Sequence, residues 1–200
     1  MYRKGIKRLL DIAASLFLLP FLFPVCLVLC LLIWIEDGAS PFYNAERLGK
    51  NGSVFHMYKL RTMQKNAPDL RNPDGSTFNA EDDPRLTRSG KWVRKYSLDE
   101  LPQVLNILKG DMSFIGPRPD LPSQKALYEG NEAQKLSVRP GLTGYAQAYG
   151  RNAIPWKKRI QLDIYYANHI TFLLDAKILL KTVSVVIKTE NIYTSKGREM

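Results

Sequence analysis

The sequence predicts an α+β fold, mainly helical with a small β-hairpin, held on a membrane by its N-terminal segment. Three observations carry this reading. The run from Ile12 to Ile35 contains no charged residue. Leu101, Val104, Leu105 and Leu108 recur at helical spacing. Gly49-Lys-Asn-Gly52 is a turn signal ahead of the strand formers between Val54 and Met63. A chain of 200 residues suffices for one domain with a real core. The formal net charge of +10 and pI near 9.6 favour anionic partners: nucleic acid, acidic lipid headgroups or nucleotide phosphates. Composition does not choose among them.

Tyr2-Arg-Lys-Gly-Ile-Lys-Arg8 is basic, and the apolar run after it is long enough to cross a hydrocarbon core of about 30 Å. It is too long for a secretory signal, and no small-residue cleavage site follows it. Pro20 and Pro24 each remove a backbone hydrogen bond near its middle and together favour a break. A plain spanning helix with its basic flank inside would carry the remaining chain outside. A kinked, re-entrant helix would return it to the same face. Cys26 and Cys30 lie inside the run and read as small apolar side chains rather than a disulfide or metal site.

Residues 43–63 read as a short hairpin. Alternation puts Lys59 and Arg61 on the same side as Phe55 and Met57, so these charges do not form a simple exposed face. Lys59 either reaches into a site or ends a solvated strand. His56 reads as an ordinary surface or packing residue. Gln64 to Asp83 is a long polar loop with Pro68, Pro73 and Asp74-Gly75, and loops of that length are often functional or mobile. Lys91-Trp-Val-Arg-Lys95 is an amphipathic approach that suits lipid headgroups, with Arg94 available for a phosphate.

A helix is expected to begin around Ser97 to Asp99 and to close at Gly110. Pro102 fits only near its start, where backbone donors have no partner in any case. Asp99 and Glu100 then occupy the first turn, either as a capping box with Ser97 or as a chemically active pair. Arg118 stands between Pro117 and Pro119, so its guanidinium is offered from a stiff loop suited to gripping phosphate. Carboxylates that hold Mg²⁺ or attack phosphorus, beside a rigid cation, suit phosphoryl chemistry.

Leu121 to Leu136 reads as a surface helix without chemistry. In 137–152, Gly141, Gly144 and Gly150 would let the backbone approach a ligand, with Arg139 and Arg151 nearby. Trp156, next to Lys157, Lys158 and Arg159, suits a lipid–water interface. Phe172 to Lys188 is mostly apolar, but Asp175, Lys177 and Lys181 make spanning costly, so it packs on the domain or lies in the interface.

Arg94, Ser97-Leu-Asp-Glu-Leu-Pro-Gln103, Gly110-Asp-Met-Ser113 and Gly116-Pro-Arg-Pro119 together resemble the bacterial sugar transferase family, the small monotopic polyprenol-phosphate phosphoglycosyl transferases. The likeness runs from about Tyr2 to Ile187 and includes Asp163 and Tyr165-Tyr166. It implies transfer of a sugar-1-phosphate from a UDP-sugar to undecaprenyl or another polyprenol phosphate, with release of UMP. It implies Asp99 as nucleophile and Mg²⁺ ligand, with Glu100 assisting proton transfer or placing the acceptor. Lys59, Arg94, Arg118 and Arg151 would bind phosphates, and Asp163 would contact substrate. Residues 1–38 would form the re-entrant membrane helix and 39–200 a catalytic domain with interfacial amphipathic helices. That domain would lie on the cytoplasmic face of the bacterial inner membrane, with membrane lipids and no nucleic acid as further partners. Relatives carry Ser-Pro at the helix break, whereas Phe23 precedes Pro24 here and Pro20 is additional. Gly150-Arg-Asn-Ala-Ile-Pro-Trp156 is similar to the stretch in small members that transfer N-acetylated, often deoxyamino, sugars, with galactose and glucose phosphate left open. Two rival readings are a membrane-bound binding protein for anionic ligands and a nucleotidyl or lipid-phosphate transferase.

Overall fold

A computed structural model describes residues 1–72, 78–80, 82–150 and 154–188. The described elements are α1 (Lys7–Asp37), β1 (Ala45–Leu48), β2 (Val54–Met57), α2 (Arg88–Lys95), α3 (Gln103–Lys109), β3 (Ser113–Ile115), β4 (Gly141–Thr143), α4 (Tyr145–Tyr149), α5 (Trp156–Asn168) and α6 (Phe172–Ile187). Helices dominate, as the sequence predicts.

The helix α1 runs on through Pro20 and Pro24 and ends where Gly38 turns left-handed at φ 66°. The expected interruption at the prolines is absent: each costs one donor, and the flanking turns keep the helix going. Both ends are docked on the rest of the chain. Near the N-terminus, Lys7 and the Tyr2 hydroxyl each lie 2.5 Å from Asp175 on α6. Arg8 donates to the Ile107 and Leu108 carbonyls at 2.5 and 2.8 Å, placing a cation on the open C-terminal end of α3. Asp11 accepts from the Ser113 hydroxyl and the Phe114 amide, both at 3.1 Å. At the other end, Asp37 takes both terminal nitrogens of Arg61 at 2.5 and 2.6 Å. Glu36 accepts from the Arg88 and Ser89 amides, which caps the first turn of α2. Leu29 and Ile33 pack on Leu60 and Val93. Between the two docked ends, Phe17, Phe21 and Phe23 are exposed.

The hairpin forms as the Gly49–Gly52 signal predicts, with β1 antiparallel to β2 and Ala45 opposite Met57. Phe55 and Met57 turn inward onto Ile107 and Met112. A second, parallel pairing of β3 with β4 was not anticipated, because each strand is only three residues long. Gly141 and Gly144 serve that pairing. A β-carbon on Gly144 would lie 2.0 Å from the Gly116 carbonyl oxygen, and one on Gly141 would lie 2.1 Å from the Gly116 nitrogen. Only glycine lets the two chains come this close.

The expected helix from Ser97 is also different. Ser97 is left-handed at φ 56° and makes no cap, so the capping box is absent. Leu98–Glu100 forms a 3₁₀ turn, and α3 begins only after Pro102. Proline lacks the donor and crowds the carbonyl four residues back, so an α-helix cannot pass through Leu98 to Pro102. Leu105 is 45 % exposed, and the buried face of α3 is Gln103, Val104, Asn106 and Ile107. Asn106 is inside because it accepts from the Tyr58 amide at 2.9 Å and donates to the His56 carbonyl at 2.8 Å, stitching α3 to the hairpin.

Residues 121–136 are not one surface helix. Two 3₁₀ segments, Pro122–Leu127 and Glu132–Ser137, flank Gly130 in a positive-φ turn, and Lys135 is buried. Trp156 is buried too, against the interfacial expectation, because its indole N–H donates to Asp120 at 3.3 Å. On α6, Asp175, Ile178 and Val185 face the core while Phe172, Leu173, Leu180 and Val183 are exposed, so the helix is packed along one face.

Candidate active site

The acid pair owes its position to three neighbours. The Leu60 amide donates to the Asp99 carbonyl at 2.9 Å, pinning the 3₁₀ turn against the chain that continues from β2. The same stretch delivers Lys59 from the inward side, as alternation predicted, with Nζ 2.6 Å from Asp99 Oδ2 and 4.0 Å from Glu100 Oε1. From the opposite side, Arg118 Nη2 stands 3.5 Å from Glu100 Oε1 with its side chain half exposed. Asp99 is 2 % exposed, and a carboxylate so buried needs the paired ammonium.

These groups open into a cavity of about 1130 Å³, lined among others by Lys59, Arg94, Asp99, Glu100, Arg118 and Asp163. Another part of its wall is apolar, formed by Leu18 and Leu22 of α1 with Leu179 and Val186 of α6. Residues 64–69 and Arg71, from the polar loop, form part of the wall. Their position is fixed by Arg85, which pairs with Asp83 at 2.6 Å and donates to the carbonyls of Pro68 at 2.9 Å and Phe78 at 3.3 Å. Arg85 holds the Asp83 carboxyl below its ordinary range.

Arg94 comes from the last turn of α2 and donates to Thr62 Oγ1 at 2.8 Å. Asp163 sits deeper on α5, 1 % exposed, with Oδ2 3.1 Å from Lys135. Burial pushes its pKa up to about 6 against the pull of Lys135. Its Oδ1 has no hydrogen-bond partner among the described residues. Arg151 lies outside the described residues.

The sequence reading passed over three cavity residues. Arg47 on β1 shares the inward phase of Ala45, a signal available from alternation alone. Burial, with Arg118 close by, pulls its pKa down to about 10, so it remains a cation that gains from an anion. Gln103 is 2 % exposed with no partner for its side-chain nitrogen, and Lys135 is 3 % exposed. Lys135 carries no sequence signal, because 121–136 reads as a surface helix, and Gln103 ends the Ser97–Gln103 motif without a role of its own.

Among the described residues no cluster of three or more His, Cys, Asp or Glu side chains exists. Magnesium does not require one. It is usually held by one or two carboxylates, with waters and substrate phosphates completing the shell. Asp99 and Glu100, adjacent and facing one cavity, fit that pattern.

The chain matches the family model described as bacterial sugar transferase over residues 2–189. It is 42 % identical over 187 residues to an uncharacterized sugar transferase, EpsL, of Bacillus subtilis, covering 94 % of this chain and 90 % of that one. It is 35 % identical over 199 residues to the undecaprenyl-phosphate galactose phosphotransferase of Salmonella typhimurium, covering 94 % of this chain and 42 % of that one. It is 35 % identical over 198 residues to the undecaprenyl-phosphate glucose phosphotransferase of Komagataeibacter xylinus, covering 94 % and 37 %. The chain therefore spans less than half the length of these two larger relatives. A match over nearly the whole chain, together with an acid pair set between Lys59 and Arg118, leaves one assignment: this chain belongs to the bacterial sugar transferase family.

Proposed function

We propose that this chain transfers a sugar-1-phosphate from a UDP-sugar to undecaprenyl or another polyprenol phosphate, releasing UMP. The observation that carries the proposal is the single cavity in which a Lys59–Asp99 pair and an Arg118–Glu100 pair face an apolar wall from α1 and α6. A soluble diphosphate and a lipid-anchored phosphate need such a shared chamber.

In this reading an Asp99 carboxylate oxygen attacks the sugar-proximal phosphorus. The bond from that phosphorus to the bridging oxygen breaks, UMP leaves, and a phosphosugar–aspartyl ester remains. A phosphate oxygen of the polyprenol phosphate then attacks the same phosphorus, the aspartyl bond breaks, and Asp99 is regenerated as carboxylate. Lys59 holds Asp99 aimed and partly neutralised between the two steps. Glu100 accepts a proton from the incoming lipid phosphate or orients it. Arg118 and Arg94, with Arg151 and the newly noted Arg47, balance the equatorial phosphate charge. Asp163 accepts a hydrogen bond from a donor hydroxyl or amide through Oδ1. Asp99, with Glu100 beside it, would hold Mg²⁺, which would supply Lewis-acid stabilisation of phosphate charge.

The donor we favour is an N-acetylated sugar, of a class that is often deoxyamino, on the resemblance of residues 150–156. The names of the galactose and glucose phosphotransferases support a plain hexose as the second reading. We place residues 1–38 in the cytoplasmic leaflet of the bacterial inner membrane as a re-entrant element, and 39–200 on its surface. The docking of both ends of α1 on the same body supports this, since a spanning helix separates its ends.

The test is UMP release by detergent-purified protein supplied with Mg²⁺, undecaprenyl phosphate and a panel of UDP-sugars. Asp99→Asn is expected to abolish lipid-dependent release while leaving the melting curve intact, because the amide keeps the shape and loses the nucleophile. Undiminished turnover by that variant would remove the covalent route.

A further inference from the structure

Next to Arg118 lies a buried ionic cluster of Lys135, Asp120 and Asp163, in which the proposed reaction uses Asp163 and leaves Lys135 and Asp120 without a task. Lys135 Nζ is 3.1 Å from the Arg118 carbonyl oxygen, 2.7 Å from Asp120 Oδ2 and 3.1 Å from Asp163 Oδ2. An ammonium has three donors, and all three are taken, so Lys135 has none left for a substrate phosphate. Asp120 is held in turn by the Tyr128 hydroxyl at 2.6 Å and the Trp156 indole at 3.3 Å. Burial alone would raise the Asp120 carboxyl, yet Lys135 keeps it below its ordinary range.

We propose that Lys135 is a positioning residue that fixes Arg118 over the acid pair. The backbone around Arg118 is anchored point by point: Gly116 donates to the Thr143 carbonyl at 2.8 Å, Gly141 to the Pro117 carbonyl at 2.9 Å, and Leu48 to the Asp120 carbonyl at 2.8 Å. The peptide carbonyl of Arg118 itself is held by Lys135. Pro119 limits Arg118 to extended backbone conformations but leaves ψ free across a wide well. Lys135 selects one setting within that well. The guanidinium is half exposed, and Glu100 at 3.5 Å restrains it weakly, so its aim is inherited from the main chain. A buried lysine flanked by two carboxylates is costly to desolvate, and a well-packed apolar side chain would often serve stability as well or better. Its use is geometric.

This inference rests on the assignment of Arg118 to a phosphate. It is tested by a double-mutant cycle of Lys135→Met with Arg118→Ala, reading kcat/KM for UMP release. A misplaced clamp is expected to cost roughly ten- to a hundredfold. The Lys135→Met loss should vanish in the Arg118→Ala background, because there is no clamp left to misplace. A loss of equal factor in both backgrounds, or wild-type kcat/KM in folded Lys135→Met, overturns the proposal. Removing the ammonium alone strands two buried carboxylates, so Lys135→Met/Asp120→Asn, which leaves the substrate-facing Asp163 in place, is run through the same cycle as the better-balanced variant.

Calorimetric binding of inorganic pyrophosphate with Mg²⁺ separates this inference from the reaction class. If wild type releases no UMP but binds pyrophosphate, and Lys135→Met weakens that binding only when Arg118 is present, the positioning role stands and the reaction class falls. If wild type binds no pyrophosphate, Arg118 is not a phosphate clamp and the positioning role falls with it.

Discussion

Asp163 shows how far a single burial can move a titration. Its carboxyl faces Lys135, with Asp120 and Arg159 nearby, and its folded pKa is about 6 against an ordinary 3.8. A raised carboxyl pKa means the folded state binds this proton more tightly than the unfolded chain. Its contribution is therefore greatest below pH 3.8 and is lost as pH rises to about 6, on the order of a few kcal/mol in all. Relative to Asp163→Asn, wild type should thus lose stability between pH 4 and pH 6.5, which denaturant melts across that range would show. A constant gap between the two proteins would mean that Asp163 titrates normally. Asp99 is buried as deeply, with the Lys59 ammonium at 2.6 Å. The resemblance already separates the two aspartates, Asp99 as nucleophile and Asp163 as a substrate contact, and in the fold each meets a different lysine.

Among the elements, α3 is the one on which the site depends. It follows the 3₁₀ turn of the acid pair, and its buried Asn106 binds the Tyr58 amide and His56 carbonyl just before Lys59. Moving α3 against the hairpin would move Asp99 against Lys59. Asn106→Leu is expected to cost about 2–4 kcal/mol, since it leaves a buried amide and carbonyl unmatched and adds an awkward shape. A chemical melt within 0.5 kcal/mol of wild type would show that water replaces these bonds. The same logic explains why the helix at 97–110 was legible while its start was not. Leucine spacing marks a helix, but Pro102 divides it, and whether the residues before proline form an α or a 3₁₀ turn is decided by what Asp99 packs against. The short strands β3 and β4 were illegible for a related reason: three residues show no period, and Gly116 with Gly141 pairs only when the chains are already adjacent.

For the whole molecule, the decisive feature is that α1 returns to the body at both ends, through Asp11 and Lys7 at one and Glu36 and Asp37 at the other. Its 31 residues would extend roughly 46 Å if straight. Phe17, Phe21 and Phe23, exposed between the docked ends, join the open face of α6 as apolar surface suited to lipid. Single cysteines placed at positions 5 and 39, in a chain with Cys26 and Cys30 replaced by serine, should react with an impermeant maleimide from the same side of sealed vesicles. Labelling from opposite sides would mean that α1 spans.

Legible from the chain alone are the helical character, the hairpin, the long apolar N-terminal run, the acid pair with its stiff arginine, and the family. These depend on local spacing, on proline and glycine, and on residues that occur in fixed order. It takes the folded chain to show that Lys59 meets Asp99, that Lys135 and Trp156 are inside, that two glycines serve strand pairing, and that α1 docks at both ends. A buried polar residue has the same letter as an exposed one. What distinguishes them is the set of partners that distant segments bring within hydrogen-bond range, and that set exists only once the chain has closed on itself.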